Sequence, residues 1–254
     1  MADYLNALMA KPIAHRGLHD RSIGVIENSQ AAFLAAVERG YGIECDVQIT
    51  QDGEAVVFHD FNLDRLTGES GRVDERTAAE LGEISLTQST AGNAIYPLAK
   101  MLDAVAGKVP IVVEIKSRFD GGLRLTRRVA EIVKSYPDHP ICIESFDPQI
   151  VTALRTLLPS HPHGIVAMAR YEYPDYAGLS AEEKHAMGNL LHFSDMQPAF
   201  LSWNVKDLPQ AAPYLCRTAL GLPVSAWTVR TPEDVARASI HADQIVFEGF
   251  LPEA

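Results

Sequence analysis

Eight short runs of β-favouring, largely apolar residues recur along the chain with helical patterns between them, and this alternation constrains the fold more than any other feature. The runs lie at residues 12–15, 42–50, 110–116, 140–146, 164–169, 199–204, 223–229 and 244–248. Strands that alternate with helices pair in parallel, and eight such strands close a barrel. The expected class is therefore α/β, a (β/α)8 TIM barrel. Several connecting helices carry start signals. Asn28-Ser29 caps a stretch with Ala32, Phe33, Ala36 and Val37 on one face, ending near Gly40. Asp147-Pro148 and Thr231-Pro232-Glu233-Asp234 each set a capping residue before a proline at the first helical position.

One run breaks the alternation. Residues 54–58 are strand-like and follow Gln51-Asp52-Gly53, whose Asp-Gly is a hairpin turn signal. Residues 47–50 and 55–58 are thus expected to pair antiparallel and to prolong the second strand beyond the barrel rim. From about 60 to 97 the chain is polar and rich in turn residues, which reads as a small insertion over the mouth. The whole of 1–254 is expected to be one domain, a length normal for such a barrel and sufficient for a large core.

The formal charge is −11. With no basic stripe to neutralise a phosphate backbone, nucleic acid is excluded as the main partner. An anionic small molecule stays possible where a cation sits in the site. No apolar run reaches the roughly 18 residues of a membrane span. The first eleven residues carry an acid where a secretory leader carries basic residues, so they do not read as a signal peptide. Cys45, Cys142 and Cys216 cannot all pair with one another and match no zinc spacing. Cys45 and Cys142 lie in apolar runs and read as buried free thiols, which favours a cytoplasmic location. Oligomeric state is not readable.

In a barrel of this kind the C-terminal ends of the strands line the active site. Those ends supply His15-Arg16, Glu44 and Asp46, His59-Asp60, and Glu114 with Lys116. Glu44 and Asp46 are two residues apart on a strand and so point to the same side. Carboxylates crowded inside a barrel repel one another unless a cation holds them, or unless Arg16 and Lys116 neutralise them as a structural network. As ligands, three carboxylates suit a hard divalent metal, Mg²⁺ or Ca²⁺, with Mn²⁺ also admissible. His15 and His59, beside that cluster, are candidates for general base and general acid, because imidazole titrates near neutrality. His19, His139, His161 and His163 read as surface residues.

Taken in order, Ile13-Ala14-His15-Arg16-Gly17, Glu27-Asn28-Ser29, Gly42-Ile43-Glu44-Cys45-Asp46-Val47, Thr50-Gln51-Asp52-Gly53 and Val57-Phe58-His59-Asp60 resemble the signature of the glycerophosphodiester phosphodiesterase family. Arg65-Leu66-Thr67, Glu114-Ile115-Lys116, Ser145-Phe146 and Trp227-Thr228-Val229 continue it. The match is dense from residue 11 to about 71 and scattered as far as 229. The resemblance implies catalysis by His15 and His59 and metal ligation by Glu44, Asp46 and Glu114. It also implies phosphate contacts from Arg16 and Lys116, a glycerol pocket lined by Trp227, and a supporting acid at Glu27 that binds Arg16 or approaches the metal. Asn28 reads as a helix cap. Ile26, Ser29 and Arg230 depart from the family pattern, as does Phe247-Glu248-Gly249, which stands where Thr-Asp-x-Pro is usual.

The implied reaction is metal-dependent hydrolysis of a glycerophosphodiester to glycerol phosphate and an alcohol. It proceeds by direct water attack or through a cyclic phosphate. Two alternatives come from related barrels: phospholipase-D-like cleavage of lysophospholipids or sphingolipids, and a non-catalytic barrel that binds phosphoesters. Beyond the fifth strand, Tyr171, Tyr173 and Tyr176 alternate with Glu172 and Asp175. These tyrosines either hold a cationic head group or anchor the loop on the rim.

Overall fold

The computed structural model describes residues 2–90 and 94–252. Among these residues nine strands form one sheet: β1 (Ile13–Ala14), β2 (Gly42–Ile49), β3 (Ala55–Val57), β4 (Ile111–Ile115), β5 (Ile141–Ser145), β6 (His163–Ala167), β7 (Phe200–Asn204), β8 (Val224–Val229) and β9 (Gln244–Phe247). All except β3 pair in parallel around a closed circuit, which β1 completes by pairing with both β2 and β9. This is a (β/α)8 barrel. β3 pairs antiparallel with β2, Val47 opposite Val57, as the Asp-Gly turn predicts.

Among the described residues ten α-helices accompany the strands: α1 (Ala2–Met9), α2 (Gln30–Arg39), α3 (Ala78–Gly82), α4 (Leu98–Val105), α5 (Arg124–Val133), α6 (Pro148–Leu157), α7 (Ala181–Gly188), α8 (Phe193–Met196), α9 (Ala211–Leu220) and α10 (Pro232–His241). The start signals act as expected at α6 and α10, where Asp147 and Thr231 accept hydrogen bonds from Gln149 and Asp234. At α2 the cap is Ser29 alone, whose hydroxyl accepts from the Ala32 amide at 3.2 Å. Asn28 does not cap the helix. Its backbone is left-handed (φ 55°) and its side chain turns toward the barrel.

The period-two alternation of the strands sorts their side chains into two environments. Ile43, Cys45 and Val47, with Ile111, Val113 and Ile115, face outward and join the helices in one large apolar cluster. Ile13, Val112, Cys142 and Phe200 turn inward near the strand starts, where Leu8 of α1 joins them in one apolar cluster and closes the barrel floor. Gly164 makes room there. A Cβ at this position would lie 2.4 Å from the Phe200 ring.

The segment between β3 and α4 covers the β2–β3 hairpin. Val56, Phe58, Leu63, Leu66, Val73, Leu81, Leu86 and Ile95 bury together with Ile26 in a second, small apolar cluster. The expected insertion at 60–97 includes 91–93, which lie outside the described residues. His161 and His163, read from sequence as surface residues, are buried. His163 falls on β6, where the run that predicts this strand begins one residue too late. All three cysteines are buried and free. Among the described residues no helix is long and apolar enough to cross a membrane.

Candidate active site

The strand register builds the mouth. Asp46 on β2 stands beside Glu114 on β4, which stands beside Glu144 on β5. In-register neighbours point to the same face, so three carboxylates line up across adjacent strands, with Glu44 one layer deeper. Carboxylate oxygens of Glu44, Asp46 and Glu114 all lie within 4.8 Å of one another. Glu44 is 3% and Asp46 1% exposed.

Two cations thread the cluster. Lys116 Nζ donates to Glu114 Oε1 and reaches Asp46 Oδ1, both at 2.7 Å. Arg16 Nε lies 3.3 Å from Asp46 Oδ2, while its Nη1 donates to Glu27 Oε1 at 2.5 Å. Burial and these flanking charges pull the carboxylates apart. Burial works to raise Asp46, but Lys116, His59 and Arg16 together hold it well below the usual carboxylate range. Burial, then Asp46 and Glu114, push Glu44 well above that range. The unassigned acid Glu144 is raised by burial and by Glu114.

Glu44 Oε1 is buried without a hydrogen-bond partner. An orphaned carboxylate oxygen among other acids, held up in pKa by their charge, is the signature of a group short of one positive charge. The residues present thus fit a hard divalent cation. Glu27 sits apart from this cluster. It takes Arg65 through both oxygens, at 2.8 and 2.9 Å, as well as Arg16. Burial opposes the shift, yet these cations bring Glu27 down to about 2.

The backbone around His15 is bent to serve the site. Arg16 and Gly17 are both left-handed, at φ 57° and 78°. A Cβ on Gly17 would also lie 2.8 Å from the Phe33 ring, so glycine is required for conformation and for space. This turn lets the Arg16 amide donate to Glu44 Oε2 at 2.8 Å. Asn28 completes the arrangement, its Nδ2 donating to Asp46 Oδ2 at 2.8 Å.

Each histidine leans on a carboxylate. His15 Nδ1 lies 2.6 Å from Glu248 Oε2, and His59 Nδ1 lies 2.6 Å from Asp60 Oδ1. Despite burial, Glu248 is held far below the usual range by His15, His19 and Arg230, and Asp60 by His59 and Arg65. Ionised carboxylates accept, so Nδ1 of each ring carries the proton and donates, which leaves each Nε2 as the reactive nitrogen. His15 Nε2 lies 4.0 Å from Glu44 Oε2. Burial, only partly offset by Glu248, lowers His15 to about 4, so the ring is neutral at physiological pH. His59 is held over the cluster by the hairpin. The Phe58 amide donates to the Asp46 carbonyl, and Gln48 Nε2 donates to the His59 carbonyl at 2.8 Å.

Two hollows meet at these residues. One, of about 360 Å³, is lined by His15, Arg16, Glu44, Ser202, Trp227 and Arg230 among others. The other, of about 440 Å³, is lined by Asp60, Phe61, Asp64, Arg65 and Phe119. His59, Glu114, Lys116, Phe146, Asp175 and Tyr176 belong to both. Trp227 Nε1 donates to the Ser202 carbonyl at 2.9 Å and its ring meets Phe146 edge-on. Tyr171 and Tyr176 are buried against Phe146, so they anchor the loop on the rim.

Of the residues expected at the site, His15, Arg16, Glu44, His59, Glu114, Lys116 and Trp227 line these hollows, Asp46 is held by Arg16 and Lys116, and Glu27 joins through Arg16. Sequence reasoning missed Glu144 and the parts played by Glu248 and Asn28. Glu144 was findable as an acid in phase with Cys142 in an apolar strand run. Glu248, read as a departure from Thr-Asp-x-Pro, keeps a carboxylate in that stretch and directs it at His15.

Fold and site together define a barrel enzyme with its polar machinery at the C-terminal rim. The profile of the "Glycerophosphoryl diester phosphodiesterase family" matches residues 15–243. The chain belongs to this family and is an enzyme of that class. A glycerophosphodiester phosphodiesterase from Caldanaerobacter subterraneus subsp. tengcongensis is 32% identical over 177 residues, covering 67% of this chain and 72% of that protein. A human lysophospholipase D is 32% identical over 138 residues, 50% of this chain and 42% of its own length. Among solved structures, a glycerophosphodiester phosphodiesterase from Thermotoga maritima superposes with a TM-score of 0.68 at 25% identity, covering 92% of both chains. A phosphodiesterase from Oleispira antarctica in complex with sn-glycerol-3-phosphate shares the fold, with a TM-score of 0.76 at 22% identity and coverage of 95% and 94%.

Proposed function

We propose that the chain hydrolyses glycerophosphodiesters to glycerol phosphate and an alcohol. In this reading His15 is the general base, His59 the general acid, and Glu44, Asp46 and Glu114 hold a divalent cation, Mg²⁺, Ca²⁺ or Mn²⁺. The observation that carries it is the orphaned Glu44 oxygen within the three-carboxylate cluster, bordered by two histidines whose Nε2 atoms are free. Bound there, the cation would draw charge from the phosphoryl oxygens in the transition state.

The chain's own residues do the rest. Neutral His15 takes a proton at Nε2 from the attacking oxygen, and Glu248 steadies the imidazolium that forms. His59 delivers a proton from Nε2 to the departing alcohol, its ring orientation set by Asp60, which Arg65 locks in turn. Arg16 and Lys116 set positive charge beside the reacting phosphate. Trp227 forms one wall of the glycerol pocket. Three buried thiols suit a reducing compartment such as the cytoplasm.

The test is to identify both products from a glycerophosphodiester with and without a chelator. Glycerol phosphate release that stops on chelation and returns with Mg²⁺, Ca²⁺ or Mn²⁺ is expected. Full turnover in protein shown by elemental analysis to hold no metal would overturn the metal reading. The human relative favours a second reading, lysophospholipid cleavage, and choline release from lysophosphatidylcholine in the same assay decides it.

A further inference from the structure

The hollow of about 440 Å³ opens from the catalytic centre on the side away from His15 and Trp227, which do not line it. His59 and Asp60 line it. An in-line displacement puts the attacking and leaving oxygens on opposite sides of phosphorus, so the alcohol that His59 protonates departs on this side. The charged groups lining the hollow fall into two sets. Lys116 is committed to Asp46 and Glu114, and Arg65 to Glu27 and Asp60. Asp64 and Asp175 have no hydrogen-bond or ion-pair partner among the described residues. Their charge is therefore unspent. Phe61, Phe119 and Tyr176 line the same hollow.

One face of Phe61 is covered by the Arg118 guanidinium, 4.1 Å from the ring centroid. Phe119 is presented by a built turn. Its backbone is left-handed (φ 56°), its amide donates to Ser117 Oγ at 2.9 Å, and Ser117 donates to Asp147 Oδ2 at 2.5 Å. Its ring meets Tyr176 edge-on at 5.7 Å. Two unpaired carboxylates beside aromatic rings are the surroundings that a compact organic cation seeks; a neutral alcohol finds only hydrogen-bond acceptors there, and an anionic group is repelled.

We propose that this hollow is the leaving-alcohol subsite and that Asp64 and Asp175 make it select alcohols bearing an ammonium group. The inference rests on the phosphodiesterase reading above and adds the class of alcohol and the residues that choose it. The probes are glycerophosphocholine and glycerophosphoethanolamine against glycerophosphoglycerol, which is neutral in its leaving group. Each is compared in the parent, Asp64→Asn, Asp175→Asn, the double variant and a distant control, Glu38→Gln, on the outer surface of α2. Both aspartates are exposed, so the variants are expected to fold, and thermal melts check this.

The parent should favour the cationic alcohols by about tenfold in kcat/KM, as a partly solvated ion pair with a ring contact supplies. The double variant should lose that preference, with a loss on the cationic diesters about tenfold greater than any loss on glycerophosphoglycerol, and Glu38→Gln should keep it. The control separates local charge from the net charge of −11, which by itself also disfavours an anionic substrate. Turnover without preference, or equal losses on all three substrates, would overturn the inference and leave the phosphodiesterase reading standing. No turnover of any of the diesters by the parent would overturn both.

Discussion

The floor and the mouth of the barrel are built on the same strands within a few residues of each other, and they obey opposite rules. At the floor Val112, Cys142 and Phe200 meet under Leu8, all apolar and fully packed. One inward position further along the same strands stand Glu114, Glu144 and Ser202. Apolar burial at the floor gains free energy, at about 25 cal/mol per Å² removed from water. Carboxylates crowded at the mouth lose it unless something positive arrives. The floor holds the eight strands together. The mouth draws on that stability to keep a set of charges no protein would otherwise choose.

Exchanging a residue for its uncharged counterpart should therefore have opposite consequences at the two ends. Glu44→Gln is expected to lower kcat/KM by about 10³-fold or more, since on the proposed reading it removes a metal ligand and a charge from the reacting centre. Stability in chelator should stay the same or rise. The sign follows from the pKa: a carboxyl raised in the folded state binds its proton more tightly there, so the parent loses stability as pH climbs above the ordinary range near 4.5. Glutamine carries no such loss. Calorimetry of both proteins in chelator across pH 5 to 8 measures it, and a destabilised Glu44→Gln would break the contrast.

Phe200→Ala is the converse. Its ring fills the space that Gly164 leaves, so truncation opens a cavity at the centre of the floor and is expected to cost about 3–5 kcal/mol. Below the melting transition kcat/KM should be that of the parent. Denaturant unfolding and initial rates on the same sample decide the point, and a proportionate fall in rate would mean that floor packing sets mouth geometry.

The difference between the regions also explains what could be read from sequence. All eight barrel strands and the hairpin were legible because apolar periodicity records burial residue by residue. Boundaries moved by a residue or two where burial continues into loops, as at His163, whose imidazole ends an apolar face without being apolar. At the mouth, acids and histidines at strand ends announce a site, and Glu44, Asp46, Glu114, His15 and His59 all converge there. Which group supports which was not legible. The Glu248–His15 contact joins residues 233 positions apart, and Asn28 looks like a cap beside a serine that is the true one. Such pairings are set by strand register, which no local pattern records.

Glu248 supplies the next test, at smaller scale. Because burial lowers His15 to about 4, the acid limb of kcat/KM should fall below the ordinary histidine value of 6.5, and a cation beside Glu44 moves it further the same way. Glu248 works against that shift, so Glu248→Gln should move the limb lower still while cutting the rate about tenfold to a hundredfold. A limb at or above 6.5 in the parent, or one that rises in Glu248→Gln, would show that His15 is not the neutral base.

The smallest expected effect divides mouth from scaffold at adjacent residues. Asn28 donates to Asp46 and Ser29 caps α2, so one peptide bond separates a residue of the site from a residue of the frame. Ser29→Ala removes a cap hydroxyl that accepts from the Ala32 amide, and it is expected to cost about 1 kcal/mol of stability with no change in kcat/KM. Asn28→Ala instead leaves Asp46 Oδ2 without its amide donor, so its effect should appear in the rate first. Urea unfolding and steady-state rates of the two single variants and the double variant measure the separation. Additive stability losses with a rate loss carried by Asn28 alone are expected, because the serine touches the helix and the asparagine touches the acid. If Ser29→Ala slowed the reaction as much as Asn28→Ala, α2 would have to be counted as part of the mouth, and the division between floor and mouth would be one of degree.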